Sequence, residues 1–420
     1  HVTDTGMYVI RENGVAVVEI PGEPLVDGCP TYTREGRESA QIAALRTWRP
    51  ESLEVKPEET TDPASVLLKL LDSPTIASKR WIYEQYDSTV RTSTVVGPGS
   101  DAAVIRLRGT RRAIAATTDC NARYAYLNPR MGGRIAVAEA ARNLVCSGAL
   151  PRAVTDNLNF GNPLKVEVYH QLAEAVHGIG EACEALETPV TGGNVSLYNE
   201  NPGGAIYPTP TIGMVGVIEN VDHVTTNGFR NAGDEIVLLG SNTTELGGSE
   251  YLKVIHGLIA GDAPELDLAK EKRLQTALLA AIRKGWVVSA HDVSEGGLAV
   301  TLVESAIADP AAPAGVEVAL QDALPANALL YGEGQSRVVV SVAPEHVEEL
   351  LAHFSRDGVP ATRIGHVREA AGRFRVTTRD VAIDTPVETL VRTYYGALPR
   401  RMDRTPADVA TALESEVHAD

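Results

Sequence analysis

Apolar residues along this chain repeat with two alternating periods. Short runs rich in Val, Ile, Leu and Ala read as strands: Ala113–Thr118, Arg152–Asn159, Pro189–Val195, Tyr207–Glu219, EIVLLG after Asp234, Val287–Ala290 and Ser336–Val342, with others near 362–367 and 373–377. Between them apolar positions recur at helical spacing. Ile135, Ala138, Ala141, Leu144 and Val145 predict a helix over Pro129–Ser147, closed by Gly148. Further helices are expected at Val166–Leu186, at about 249–260 and 267–284, from Ser294, and over Pro344–Ser355. Asp62-Pro63 supplies an N-cap and a first-turn proline for a helix over Ala64–Leu71. Near the start, Arg11-Glu12-Asn13-Gly14 joins Met7–Ile10 to Val15–Ile20 as a hairpin. Strands alternating with helices predict an α/β (α+β) protein.

The same pattern divides the chain. Residues 1–36 hold only the hairpin, which buries too little to stand alone, so the chain reads as starting inside a domain. Residues 37–61, with Arg49-Pro50 and a Glu-rich run, read as a linker without structure of its own. Residues 62–232 are expected to form one domain and 233–378 a second. From there the chain turns polar, and 379–420 read as an extension with a helical, acidic tail.

Composition narrows the function classes. The 420 residues suffice for two or three cores, and the net charge of −17 argues against a nucleic-acid partner, which needs clustered Lys and Arg. An anionic nucleotide can still bind through a metal ion and backbone N–H groups. No run of about 18 apolar residues occurs, so no membrane span is expected. Cys29, Cys120, Cys146 and Cys183 are scattered without a C-x-x-C pair, as in a reducing cytosol.

The stretch from Ala153 to Glu200 carries the densest chemistry. Two predicted strands, in AVTDNLNFGNP and TPVTGGNVSLYNE, end in small polar groups on either side of one helix. Asp156, Asn157, Asn159, Asn162, Asn194, Ser196 and Asn199 offer oxygen and amide groups suited to a hard metal ion and a phosphorylated ligand. GPGSDAAV at 97–104 either cradles phosphate or holds magnesium through Asp101, or is a plain glycine turn. Asp119 is either a second metal carboxylate or a turn residue. His291-Asp292, ahead of Ser294-Glu295-Gly296-Gly297, is either an acid–base group or a structural pair. No G-x-S-x-G, H-E-x-x-H or Cys–His arrangement supports a hydrolase or zinc reading.

Several motifs in order carry a resemblance: SPTIASKRWIYEQYD, GSDAAV, TTDCNARYAYLNPRMGGRIAVAEAARNLVCSGA, AVTDNLNFGNP, TGGNVSLYNE, YPTPTIGMVG and HDVSEGGLA. Over residues 62–400 the chain resembles the second half of the small-type phosphoribosylformylglycinamidine synthases, within the aminoimidazole ribonucleotide synthetase-like superfamily. The resemblance implies an A domain of sheet and helices followed by a B domain, with 1–36 as the tail of a preceding B-type domain. It implies an ATP-dependent carbon–nitrogen ligase of purine biosynthesis in the cytoplasm, completed by an N-terminal half. Its substrates would be formylglycinamide ribonucleotide, ATP and ammonia, the ammonia coming from a glutaminase subunit bridged by a small third subunit. Alternatives are a non-catalytic nucleotide-binding scaffold and another ATP-dependent member of the superfamily.

By the same resemblance Asp156 and Gly193 match ATP-binding positions, Asn194 a Mg2+ ligand and Ser196 a substrate-touching position. Asp101 and Asp119 fall where the fold's internal symmetry would place an auxiliary nucleotide and metal. The family's catalytic histidines, ATP-binding lysine and main magnesium carboxylates belong to the first half, so no catalytic residue is assigned here.

Overall fold

Asn13 and Gly14 both take positive φ (50° and 84°) and turn β1 (Met7–Glu12) into β2 (Val15–Pro21), forming the predicted hairpin. The computed structural model describes residues 1–403 apart from Thr31, Thr33 and Ala371. The hairpin and the short helix α1 (Glu23–Val26) leave Tyr8, Ile10, Val15, Val17 and Val26 exposed.

Residues 37–61 correct the expectation of a structureless linker. They form α2 (Ala40–Leu45) and α3 (Pro57–Thr61). The Glu-rich run is a helix start: Glu59 folds back to accept the Lys56 N–H (2.6 Å), and the acids suit the helix dipole. Arg46 pairs with Glu38 within the segment (2.8 Å) and ties it to Asp262 (2.7 Å), and the buried Glu59 carboxylate accepts the Tyr251 hydroxyl.

Helix α4 (Pro63–Asp72) begins as predicted, with the Asp62 side chain accepting the Ser65 N–H (3.2 Å). Its Leu67, Leu70 and Leu71 are fully buried in the core of the second sheet. The helix therefore belongs with the second domain, which moves the boundary expected at residue 62. Helix α5 (Arg80–Tyr83) follows.

The first sheet comprises β3 (Thr94–Val96), β4 (Ala103–Arg106), β5 (Ala113–Asp119), β6 (Leu150–Asn159), β7 (Val190–Ser196) and, after the small hairpin β8 (Glu200–Asn201) and β9 (Gly204–Ala205), β10 (Thr209–Ile218). Its order is β3-β4-β5-β10-β6-β7, with β10 antiparallel to both neighbours and β6 parallel to the edge strand β7. Helices α6 (Ala122–Leu127), α7 (Pro129–Cys146) and α8 (Val166–Leu186) complete the domain. Val104, Ala115, Val154, Ile212 and Met214 are buried with α7 and α8 in one core. On the alternate positions Ile105 (51 % exposed), Ile114 (36 %) and Val215 (41 %) leave an open apolar sheet face.

The second sheet comprises β11 (Glu235–Leu239), β12 (Val287–Asp292), β13 (Ala314–Ala319), β14 (Val338–Val342), β15 (Ala361–Ala370), β16 (Arg373–Thr377) and β17 (Ala382–Pro386), ordered β12-β14-β11-β15-β13-β16-β17. Its central strands are buried on both faces: Ile236, Leu238 and Val339 join one core, Val237, Leu239, Val338 and Val340 the other. The helices are α9 (Glu250–His256), α10 (Leu268–Arg283), α11 (Gly297–Ile307), α12 (Ala326–Tyr331), α13 (Val347–Arg356) and α14 (Val387–Met402). The extension expected from 379 is also corrected. β17 pairs with β16, Leu390 of α14 is fully buried beside α4, and Arg400 and Arg401 hold Asp72 at 2.6 and 2.8 Å. The expected acidic tail beyond residue 403 lies outside the described residues.

Candidate functional site

The two polar strand ends come together because α8 carries the chain from β6 to a parallel neighbour. The register pairs Asp156 with Gly193, Asn157 with Asn194, Leu158 with Val195 and Asn159 with Ser196. Close helix packing supports this crossover. At Gly133 of α7 an added Cβ would lie 3.2 Å from the Ile179 nitrogen, and at Gly178 of α8 it would lie 2.8 Å from the Arg130 carbonyl carbon. The missing side chains let the helices touch backbone to backbone.

Strand alternation then splits the predicted residues between two faces. Val154, Asp156 and Leu158 point toward the helices, and Gly193 faces the same way; a Cβ there would sit 2.7 Å from the Asp156 Cγ. Burial alone pushes the Asp156 carboxyl up from its ordinary range. Asn157 and Asn194 share the opposite, open face, where the Asn194 amide donates to the Asn157 Oδ1 (3.2 Å). Ser196 closes the strand, its hydroxyl donating to the Asn199 Oδ1 (3.2 Å). The four residues thus lie on both faces of the sheet at its β6–β7 margin, Asp156 on β6 and the other three on the edge strand β7, not in one enclosed cleft.

The loops beyond are tied firmly. Asn199 donates from its side chain to the carbonyls of Phe160 (3.0 Å) and Ser196 (2.9 Å). Glu200 accepts the Asn162 N–H (2.9 Å) and holds Lys165 Nζ (2.8 Å), and those two contacts lower its pKa. Asn162 and Asn199, expected among the ligand-facing groups, are spent on this framework.

Asp101 and Asp119 stand elsewhere, at the junction of the two sheets. Both Asp101 oxygens face His291 Nδ1 (3.0 and 3.2 Å), one also accepts the Asp292 N–H (3.1 Å), and His291 Nε2 lies 3.1 Å from Glu304. Burial opposes charge on His291, but Asp101 and Glu304 more than offset it and hold the imidazole protonated well above its usual range. Asp119 is pushed well up, first by burial and then by Glu295 and Asp292. Fully buried Arg142 sits in the same cluster, 2.6 Å from Asp292, 3.2 Å from Glu271, 2.8 Å from the Gln335 oxygen and 3.6 Å from Glu139. Burial and neighbouring carboxylates raise Asp119 and Glu139, while the Arg142 guanidinium faces Asp292 and Glu271 and the His291 ring faces Asp101 and Glu304. Among the described residues no group of three or more His, Cys, Asp or Glu is arranged for a metal; Asp101 lines a cavity of about 480 Å³ together with Gly99, Ser100, Thr117, Thr118 and His291. His291 is hydrogen-bonded on both ring nitrogens, but to Asp101 and Glu304; the adjacent Asp292 pairs with Arg142 instead, so the expected His291–Asp292 pair does not form.

Comparison with known proteins follows this geometry. Residues 99–218 match the model of the AIR synthase related protein N-terminal domain, and residues 231–377 that of the C-terminal domain. The chain belongs to the AIR synthase related family. Within this family it is 48 % identical over 408 residues to the phosphoribosylformylglycinamidine synthase subunit PurL of Caldanaerobacter subterraneus subsp. tengcongensis, covering 96 % of this chain and 54 % of that relative. The chain spans about half the length of the curated relatives it matches. Two solved structures share the family fold. T. maritima PurL complexed with FGAR aligns with a TM-score of 0.62 at 19 % identity, over 80 % of this chain and 55 % of that one. T. maritima PurL complexed with ATP gives 0.60 at 21 %, over 80 % and 53 %. The two matched domain models correspond to the two sheets, so the family's A and B domains are the architecture seen here.

Proposed function

We propose that this chain is the second half of the synthetase subunit of phosphoribosylformylglycinamidine synthase, an ATP-dependent carbon–nitrogen ligase. In this reading ATP phosphorylates the amide oxygen of formylglycinamide ribonucleotide. Ammonia then adds at that carbon and expels phosphate, leaving the amidine and ADP. The observation that carries the reading is the parallel register, which brings Asp156 of β6 against Gly193 of the edge strand β7, with Asn194 and Ser196 on the other face of that strand.

In this reading the site is completed from outside the chain, and the same sheet leaves an apolar face open on β4, β5 and β10. Ile105, Ile114 and Val215 supply a surface on which an N-terminal half can close, burying the face and bringing the catalytic groups this chain lacks. Gly193 leaves room for the Asp156 carboxylate beside it, and Asn194 can offer an amide oxygen to Mg2+, since its nitrogen already donates to Asn157. Bound there, Mg2+ would neutralise charge on the transferring phosphoryl group. Ser196, fixed by Asn199, would hydrogen-bond the ribonucleotide. Ammonia from a glutaminase subunit bridged by a small third subunit, and a cytoplasmic location, complete the proposal. Among the described residues no helix is long and apolar enough to cross a membrane.

The test is Asn194→Ala in the full-length synthetase, assayed with its partner subunits. Loss of turnover with an unchanged melting profile is expected. Retained turnover would favour a non-catalytic scaffold.

A further inference from the structure

Tyr198 adopts φ of +62°, the left-handed region that bulky side chains rarely occupy, and it is the one aromatic residue there among the described residues. The other non-glycine residues with positive φ include Asn13, an amide in a tight turn, and Glu187, the cap of α8. Neither explanation applies to Tyr198, which lies two residues past Ser196. The residue is 59 % exposed, so burial in this chain does not offset the strain.

The conformation is imposed from both sides. The Tyr198 N–H donates to the Gly161 carbonyl (3.0 Å), the Asn199 N–H to the Phe160 carbonyl (3.1 Å), and the Asn199 side chain holds Ser196 on the other flank. Leu197 packs toward the first core, so the turn that drives Leu197 inward throws Tyr198 outward. Strain maintained by surrounding bonds, at an exposed aromatic residue two positions from the hydroxyl proposed to meet the ribonucleotide, is the arrangement expected of a contact residue.

We infer that Tyr198 is a substrate-contacting residue whose ring closes over the ribonucleotide held at Ser196. This rests on the proposed function, and the test separates the two. In the full-length enzyme with its partner subunits, Tyr198→Asn keeps a residue that tolerates the left-handed region while removing the ring. The expected result is a melting temperature equal to or a few degrees above the parent, with KM for formylglycinamide ribonucleotide raised about tenfold and KM for ATP unchanged. Tyr198→Phe, which keeps the ring, should stay within about twofold of the parent. A melting temperature lowered by several degrees would make Tyr198 a packing residue and overturn the inference. So would an unchanged ribonucleotide KM while Ser196→Ala raises it. If neither variant moves that KM, the substrate reading of the whole turn fails.

Discussion

Two glycines on one helix should respond to the same substitution with opposite signs. At Gly178 of α8 an added methyl would lie 2.8 Å from the carbonyl carbon of Arg130, closer still to its oxygen, and 3.1 Å from its Cα. These are backbone atoms of α7 and cannot rotate aside, so the helices must separate. Overpacking of this kind costs about 1–3 kcal/mol. At Gly180, one hundred degrees per residue further round the helix and exposed, a Cβ meets nothing within 4 Å. There Gly→Ala removes unfolded-chain freedom and contributes roughly 0.5–1 kcal/mol of stability. At about 2–4 °C per kcal/mol, Gly178→Ala should lower the melting temperature by roughly 2–12 °C and Gly180→Ala raise it by a few. Circular dichroism melts, with urea titrations as a second probe, read both. Shifts of the same sign would refute the claim that α7 and α8 touch backbone to backbone, and with it the stated basis for the β6–β7 pairing.

Two further perturbations test the junction between the sheets. Arg142→Leu leaves Asp292, Glu271 and Glu139 without their guanidinium and should cost about 3–5 kcal/mol in urea unfolding; a loss under about 1 kcal/mol would contradict the buried network. Glu333, pushed up by burial to about 7, accepts the Tyr124 hydroxyl and the Glu250 N–H (2.8 Å). Because its folded value exceeds the unfolded one, the native state holds the extra proton between roughly pH 5 and 7, and stability should fall as pH rises through that window. The limiting slope is about 1.4 kcal/mol per pH unit for one proton, and a flat or rising profile there would refute it.

Local signals in the sequence located most of the first domain. Asn13-Gly14 marked the hairpin, and Val166–Leu186 was legible to the residue because its periodicity runs unbroken between two polar clusters. The allegiance of α4 was not legible, since an amphipathic helix says that it packs but not on which sheet. Strand β13 (AGVEVA) and β17 (AIDTP) were missed because short runs with charged centres give little periodic signal. At the site, residue type exposed the amide-rich strand ends, but the division of Asp156 and Asn194 between faces depends on register, which needs both strands at once. The buried ion-pair cluster around Arg142 had one available hint. Glu139 and Arg142 stand three residues apart among Ile135–Ala138, Ala140 and Ala141 in the buried part of α7, where a charge can persist only if paired.

The central claim is that the paired strand ends bind nucleotide through a metal ion, because a chain of net charge −17 gives ATP no general attraction. Titration calorimetry of ATP into the full-length synthetase, with and without Mg2+, addresses it directly. The account predicts binding that requires Mg2+ and weakens about tenfold or more in Asn194→Ala; equally tight binding without the metal, unchanged by that substitution, would contradict it.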